Sequence, residues 1–412
     1  MQENAKSLVD SASITIAQLE RNRARQREAK AERRGPGSAF ETIALLLQGG
    51  GALGAYQAGV YQALAEAEVQ PNWLAGISIG AVNAAIIAGN APEKRVERLR
   101  EFWELVSAPS PWAPTNEWQS MLVRGETART AFNQMNSASV AMTGVAGFFE
   151  PRLPPPWFQP SGTLEATSFY DTKPLKATLE KLIDFDRLHG SDIRLSVGAV
   201  NVRSGNFEYF DSTNQRIGPE HIMASGALPP GFPAVEIEGE YYWDGGMVSN
   251  TPLQWAVENG GEHDMLAFQV DLWNARGNFP RTMTEVMTRQ KEIQYSSRTR
   301  AGTKWLKQAR RVHCAIAELL PLLPEELRNS PAGQVLDAVI DPHVYSVVHL
   351  IYRPKEYEGD SKDYEFSRLS MEEHWRAGHN DATRTLRHKE IFERPTNLEG
   401  VFTYDLTEHD GE

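Results

Sequence analysis

The sequence predicts an α/β fold in which a mostly parallel central sheet is flanked by helices. Residues 43–89 alternate strand and helix patterns: an apolar run at 43–47, a glycine turn, an amphipathic stretch, a second apolar run at 73–77, and a helix of small residues. Runs typical of buried strands return at 264–272 and 343–352. Strands that alternate with helices favour parallel pairing, because a parallel pair needs a helical crossover.

Composition and charge exclude several classes of protein. The chain has 412 residues, of which 41% are hydrophobic and 23% are charged, as in ordinary soluble globular proteins. Its formal net charge of -12 argues against nucleic acid as a partner, since phosphate binding needs a basic face. An acidic body is also repelled by anionic membranes unless a local patch reverses the sign. The single cysteine, Cys314, cannot form an internal disulfide.

Residues 1–38 are predicted to form a basic flexible tail that is separate from the fold. We interpret this tail as solvated, and the alternative is an arm that contacts a membrane or the surface of a lipid granule. The N-terminus has no apolar signal region, and no stretch approaches the ~20 apolar residues of a membrane span, so we expect a cytoplasmic protein, with peripheral contact at a lipid surface as the alternative. The basic residues of the tail are Arg21, Arg23, Arg25, Arg27, Lys30, Arg33 and Arg34.

A Gly-x-Ser-x-Gly motif follows the second apolar run. Gly76 and Gly80 flank Ser78 at a predicted strand-to-helix turn, where glycines let the chain pass close to itself and expose the hydroxyl as a nucleophile. An oxyanion formed there would lie at the start of the next helix, near the free N–H of Ile79. The alternative is a plain buried helix for which Ser78 is the N-cap.

The first apolar run ends in a glycine loop that can supply further N–H donors. Gly49, Gly51 and Gly54 also satisfy Gly-x-Gly-x-x-Gly, so a dinucleotide site is an alternative. A dinucleotide fold would place a carboxylate at the end of the second strand, ~20 residues later, to hold the ribose. The corresponding residues here, 73–78, include no acidic residue, which favours an oxyanion loop over a dinucleotide site.

Later in the chain, a carboxylate lies at the end of another predicted strand. Asp244 ends a short aromatic strand and is followed at once by Gly245 and Gly246. Taken alone, Asp-Gly-Gly is typical of a turn. A carboxylate within hydrogen-bond reach of a serine can nevertheless act as its base.

The glycine loop, the Gly-x-Ser-x-Gly motif and Asp244-Gly245-Gly246 together resemble the patatin-like phospholipases, in the same order. The resemblance covers about residues 40–272 and implies a three-layer sandwich, Ser78 as nucleophile, Asp244 as proton acceptor, and an oxyanion hole at Gly50 and Gly51. It also implies a lipid or acyl-ester substrate of the phospholipase A or lysophospholipase type, with no histidine, cofactor or metal. Many relatives carry Arg or Lys where this chain has Leu53. The segment 341–388 resembles the C-terminal region of a bacterial branch of the family.

These observations divide the chain into the tail at 1–38, a catalytic domain at 39–276, and a helical insertion with a C-terminal region at 277–412 that returns a strand to the sheet. Prolines and large aromatics at 148–158 predict an irregular segment, either a lid or acyl-chain rim over the site or a loop packed on the surface.

Three alternatives to a phospholipase with a Ser-Asp dyad remain open. The first is a hydrolase of intracellular polyesters or hydroxyacyl esters with the same dyad. The second is a lipid-binding or scaffold protein that kept the fold without turnover. The third is a Ser-His-Asp triad, although no histidine lies in a local motif that marks it as a base. The candidate histidines are His189, His221, His263, His313, His343, His349, His374, His379 and His388.

Overall fold

The computed structural model describes residues 39–108, 125–190, 192–261, 263–296, 299–340, 343–396 and 400–406. The predicted basic tail and the Ser-Pro-Trp-Ala-Pro stretch at 110–114 lie outside these ranges. The strands of the described part are β1 (Thr42–Leu47), β2 (Trp73–Ile77), β3 (Glu150–Pro151), β4 (Tyr170–Asp171), β5 (Arg194–Asn201), β6 (Phe207–Asp211), β7 (Val235–Ile237), β8 (Glu240–Asp244), β9 (Met265–Asp271), β10 (Tyr345–Ile351) and β11 (Val401–Asp405).

Helices connect most of these strands, and short 3-10 turns lie at Gly51–Gly54, Pro156–Phe158, Gly245–Met247 and Glu356–Ser361. The α-helices are α1 (Ala55–Glu66), α2 (Ile79–Ala88), α3 (Arg95–Val106), α4 (Glu126–Thr143), α5 (Lys173–Leu182), α6 (Phe185–Gly190), α7 (Pro219–Ser225), α8 (Leu253–Glu258), α9 (Met283–Tyr295), α10 (Thr299–Leu319), α11 (Glu325–Arg328), α12 (Pro331–Ala338) and α13 (Arg368–Thr385).

The central sheet is mostly parallel. Across the described residues, nine strands join one sheet, in which the order β11-β10-β9-β1-β2-β5 is parallel throughout. Strands β6, β7 and β8 add antiparallel pairs at the β5 end, and β3 pairs with β4 in a separate ribbon. This arrangement confirms the predicted α/β class.

Strand β1 shows why the fold has three layers. All of its residues are buried, and successive side chains point to opposite faces of the sheet. Leu45 and Leu47 belong to the large core beneath α1, α2 and α13. Ala44 and Leu46 belong to a smaller core with residues of α8 and α10. A central strand must be apolar on both faces when helices cover both, and the sequence of β1 meets that requirement.

The last part of the chain is built into the same fold. β10 lies between β9 and β11, and α13 packs on α1, where the Trp375 Nε1–H donates to Gln62 Oε1 at 2.6 Å. Strand β11 follows α13 and pairs with β10 at the edge of the sheet. β11 is short and only its first residue is buried, so it lacks an apolar run. None of the helices in the described ranges combines the length and apolar character that crossing a membrane requires.

Strand β5 brings the ends of two other strands together. β2 runs parallel to β5 and its last residue, Ile77, lies opposite Gly198. β8 runs antiparallel to β5 and its last residue, Asp244, lies opposite Ala199. The carboxyl ends of β2 and β8 therefore meet beside adjacent residues of β5.

Candidate active site

Ser78 lies at a sharp turn between β2 and α2. Its backbone has φ 55° and ψ -125°, a left-handed conformation that a non-glycine residue adopts at a cost and that is frequent at functional sites. A Cβ at Gly76 would overlap the backbone of Gly80, and a Cβ at Gly80 would overlap the carbonyl of Leu47. Both motif glycines are thus needed for the close approach of β1, β2 and α2.

The surroundings of Ser78 leave its hydroxyl available. The side chain makes no capping hydrogen bond to α2, in contrast to the N-cap alternative. The backbone N–H of Ser78 donates to Ser225 Oγ at 2.9 Å, and the Ser225 hydroxyl donates to the carbonyl of Gly198 at 2.6 Å. Buried Ser225 therefore ties the serine turn to β5.

Asp244 faces Ser78 from the end of β8. It is 3% exposed, and its Oδ1 accepts a hydrogen bond from the N–H of Gly246 at 2.7 Å. Burial raises the pKa of Asp244 to about 6, while hydrogen bonds from the Ser78 hydroxyl and the Gly246 N–H oppose that rise. The structure therefore places a buried, unusually basic carboxylate beside the serine in the same cavity.

The glycine loop lies beside this pair. Gly49 is clamped by Asn250, whose Oδ1 accepts from the Gly49 N–H at 3.1 Å and whose Nδ2 donates to the Gly49 carbonyl at 3.0 Å. Within the described ranges, the N–H groups of Gly50, Gly51 and Ile79 have no backbone acceptor. All three residues line the cavity that contains Ser78, so their N–H groups are the candidates for oxyanion donors.

The C-terminal part of the chain fixes this loop from the other side. Gly51 has φ 54°, and a Cβ there would overlap the main-chain carbonyl of Asp363. The same carbonyl accepts the N–H of Ala52 at 2.8 Å. The Asp363 carboxylate is paired with Lys291 Nζ of α9 at 2.9 Å. The glycine loop is therefore held between the β8–α8 segment and residues that lie beyond position 280.

Tyr295, at the end of α9, is a second contribution from the C-terminal part. Its carbonyl accepts hydrogen bonds from Asn250 Nδ2 at 2.8 Å and from Gln48 Nε2 at 3.1 Å. Burial, followed by the nearby carboxylates of Asp244 and Asp363, raises the pKa of Tyr295. Its side chain thus lies within electrostatic range of Asp244.

These residues enclose a largely apolar cavity of about 480 Å³. The part of its wall formed by described residues includes no lysine, arginine or histidine, and its charged members there are Asp244 and Asp363. Its apolar lining includes Val82, Val140, Phe148, Phe149, Leu175, Leu228, Phe232 and Phe366.

The remaining residues singled out in the sequence lie around this cavity. Gly54 packs against Ile79, and Gly245 packs against β5. Leu53 is fully buried in the core and leaves the site without a cation at that position. The two ends of the segment 148–158 have different environments. Phe148 and Phe149 line the cavity, but Trp157 and Phe158 are each 77% exposed.

Four further residues support the site from outside its three sequence motifs. Ser225 and Asn250 act through hydrogen bonds to distant backbone groups, and Asp363 acts through its own carbonyl. Tyr295 reaches the cavity from a helix that the sequence predicts only as part of an insertion. The first two lie in the segments 224–233 and 250–253, whose sequences also resemble the patatin-like family, whereas no such pattern marks Asp363 or Tyr295.

Two protein-family models match parts of the chain. A family model described as patatin-like phospholipase matches residues 45–257, and a model described as patatin phospholipase matches residues 293–398. No curated protein sequence matches the chain. Among solved structures, VipD from Legionella pneumophila aligns with 13% identity and a TM-score of 0.38, covering 89% of this chain and 72% of that chain.

Proposed function

Because the chain belongs to the patatin-like phospholipase family, we propose that it is a lipid acyl hydrolase in which Ser78 and Asp244 form a catalytic dyad. One observation carries this conclusion: Ser78 and the buried carboxylate of Asp244 line one cavity, together with N–H groups that have no backbone acceptor among the described residues. A serine needs such a base, and a carboxylate whose pKa is near 6 is mostly ionised at neutral pH yet more basic than usual.

Acylation follows from this arrangement. Asp244 takes the proton of the Ser78 hydroxyl as Oγ attacks the ester carbonyl carbon. The carbonyl oxygen becomes an oxyanion and accepts hydrogen bonds from the N–H groups of Gly50, Gly51 and Ile79. Preorganised donors of this kind contribute roughly 2.7–4 kcal/mol each in a comparable enzyme. The tetrahedral intermediate then expels the alcohol, which takes its proton from Asp244.

Deacylation repeats the same steps with water. Asp244 accepts a proton from a water molecule as that water attacks the acyl carbonyl on Ser78. The oxyanion is held by the same N–H groups, the carboxylic acid leaves, and the proton returns from Asp244 to Ser78 Oγ. The dyad thus completes a ping-pong cycle with no cofactor.

The cavity supports an ester whose acyl part is apolar. Its walls are mainly aromatic and aliphatic, and its volume of about 480 Å³ falls within the range of small-molecule sites. The phospholipase A type is the family default. Hydrolysis of a neutral ester, such as a polyester or hydroxyacyl ester, is the second candidate, because the described wall has no cation to bind a phosphate group.

A fluorophosphonate probe tests the proposal directly. We expect the probe to label the wild-type chain, Ser78→Ala to abolish labelling, and Asp244→Asn to reduce both labelling and turnover. Asp186→Asn, an exposed carboxylate with 94% side-chain exposure, serves as the matched control. Labelling that persists in Ser78→Ala would contradict the dyad, and loss of turnover in any single histidine variant would point to a triad.

A substrate panel separates the candidate activities. Phosphatidylcholine, lysophosphatidylcholine, short-chain nitrophenyl esters and hydroxybutyrate oligomers are assayed against the Ser78→Ala control. A scaffold protein without turnover would hydrolyse none of them and would leave the probe unreacted. Binding of nicotinamide or flavin dinucleotides would instead favour the dinucleotide alternative for the glycine loop.

A further inference from the structure

An exposed apolar cluster lies between α4 and α5. Leu153 is 87% exposed, and Trp157 and Phe158 are each 77% exposed. Large apolar side chains scattered singly over a surface need no explanation, but several exposed ones in one short segment, tryptophan and phenylalanine among them, are typical of a contact site. We call Leu153, Trp157, Phe158 and Phe169 the aromatic rim.

The rim is held in place rather than loosely attached. Trp157 and Phe158 belong to the 3-10 turn Pro156–Phe158, in which the Phe158 N–H donates to the Pro155 carbonyl at 2.9 Å. The Trp157 ring packs on Phe169 with ring centroids 5.6 Å apart. The cluster is therefore displayed to solvent by a defined backbone, which reduces the entropy lost when it binds.

The aromatic rim adjoins the catalytic cavity. Pro230 borders the small groove formed with Trp157 and Phe169, and it also lines the cavity that contains Ser78. The N–H of Phe169 donates to the Pro230 carbonyl at 3.1 Å. A surface that binds the aromatic rim would therefore lie next to the entrance of the site.

Charge identifies the kind of surface. Residues 153–169 contain a single charged residue, Glu165, and the whole chain has a formal net charge of -12. An anionic membrane would repel this body, while a zwitterionic or neutral lipid surface would not. Tryptophan favours the boundary between lipid head groups and acyl chains, because its ring is apolar and its N–H can be hydrated.

We propose that the aromatic rim inserts into the surface of a zwitterionic or neutral lipid aggregate and brings the cavity mouth against that surface. Resting on the proposed function, this contact supplies the ester substrate from the lipid phase to Ser78. Trp157 and Phe158 are the anchors, Leu153 adds apolar area, and Phe169 supports the tryptophan ring.

The test measures adsorption apart from turnover. The full chain carrying Ser78→Ala is floated with phosphatidylcholine vesicles, so that the lipid stays intact. We expect Trp157→Ser/Phe158→Ser to weaken partitioning by at least about tenfold, because the apolar area removed from water is lost. The control is Phe279→Ser/Leu322→Ser, which removes side chains that are 89% and 78% exposed and lie outside the cavity.

Each result has a definite meaning. A selective loss of adsorption in Trp157→Ser/Phe158→Ser, with short-chain ester hydrolysis retained when Ser78 is present, supports the proposal. Equal adsorption of both double variants, absence of adsorption by the parent, or stronger binding to phosphatidylglycerol vesicles would overturn it. A dimer that dissociates in Trp157→Ser/Phe158→Ser would assign the aromatic rim to a second copy and overturn it as well. Adsorption that depends on the rim in a chain without esterase activity would reject only the proposed function.

Discussion

Ser78 and Asp244 lie at the facing ends of β2 and β8, opposite the adjacent β5 residues Gly198 and Ala199. Their contact is therefore set by strand register and does not depend on a flexible loop. Since a slip of one residue in a strand turns its side chains to the other face, the register of β5 with both neighbours is a condition for the proposed dyad.

The pH dependence of activity should follow the ionisation of Asp244. The base must be ionised, and burial raises its pKa to about 6, so we expect kcat/KM for a neutral ester to fall about tenfold per pH unit below that value. The measurement is a pH profile of kcat/KM, with circular dichroism to establish that the chain stays folded. An acid limb that moves in a histidine variant would contradict Asp244 as the base.

Asp244→Asn should stabilise the fold while it impairs catalysis. The carboxyl has a pKa of 3.8 when exposed and about 6 in the folded chain, so between these values ionisation favours the unfolded chain, and the penalty is complete above about pH 6. We expect a gain of about 1–3 kcal/mol in the free energy of unfolding at about pH 8 and little gain below the lower pKa. Urea unfolding at both pH values measures this gain in the free energy of unfolding. An equal gain at both pH values would exclude the charge of Asp244 as its cause.

Gly80→Ala should disrupt the serine turn. The added methyl group would overlap the Leu47 carbonyl and approach the Gln48 carbonyl to 2.9 Å, so β1 and α2 must separate. We expect a loss of about 2–4 kcal/mol in the free energy of unfolding, together with loss of probe labelling at Ser78. Gly190→Ala, where nothing lies within 4 Å of the new Cβ, is the control, and similar unfolding of the two variants would refute the overlap.

Asn250→Ala should loosen the glycine loop. It removes the side-chain hydrogen bonds to the N–H and carbonyl of Gly49 and to the carbonyl of Tyr295. We expect kcat to fall about 10- to 100-fold with a small change in KM, since the oxyanion donors lose their fixed position. The buried backbone groups that lose their hydrogen-bond partner should also lower the free energy of unfolding by about 1–3 kcal/mol.

Steady-state kinetics and urea unfolding of Asn250→Ala are compared with Asn259→Ala, whose side chain bonds only the nearby Trp255 carbonyl at 3.1 Å. A rise in KM with unchanged kcat would mean that Asn250 serves substrate binding and not the oxyanion loop.

The sequence predicts those features of the protein that depend on residues close together in the chain. The apolar run of β1 and the patterns over β9 and β10 predict buried strands, because apolar residues predominate in each. Ser78 stands out because Gly76 and Gly80 allow a sharp turn directly after a strand, and Asp244 stands out through the resemblance of its Asp-Gly-Gly motif to the family. These features need no knowledge of the tertiary contacts.

The support around the site depends on distant contacts and leaves no local pattern. The carbonyl of Asp363 contacts Ala52 whatever its side chain, so no residue type marks it. Asn250 bonds a glycine about 200 positions earlier, and β11 is an edge strand with a single buried residue. The exposure of Trp157 could not be predicted either, since an aromatic in a proline-rich segment is equally consistent with packing over the cavity.

The Asp363 carbonyl and strand β10 also have a consequence for any attempt to shorten the protein. Truncating the chain between residues 276 and 277 would remove β10 and expose the edge of β9, which favours intermolecular strand pairing. The same truncation would remove the Asp363 carbonyl that holds the glycine loop. An inactive fragment that aggregates would give no information about substrate selectivity. Exchanging specificity with a homologue is better attempted by point replacements along the cavity lining than by joining halves.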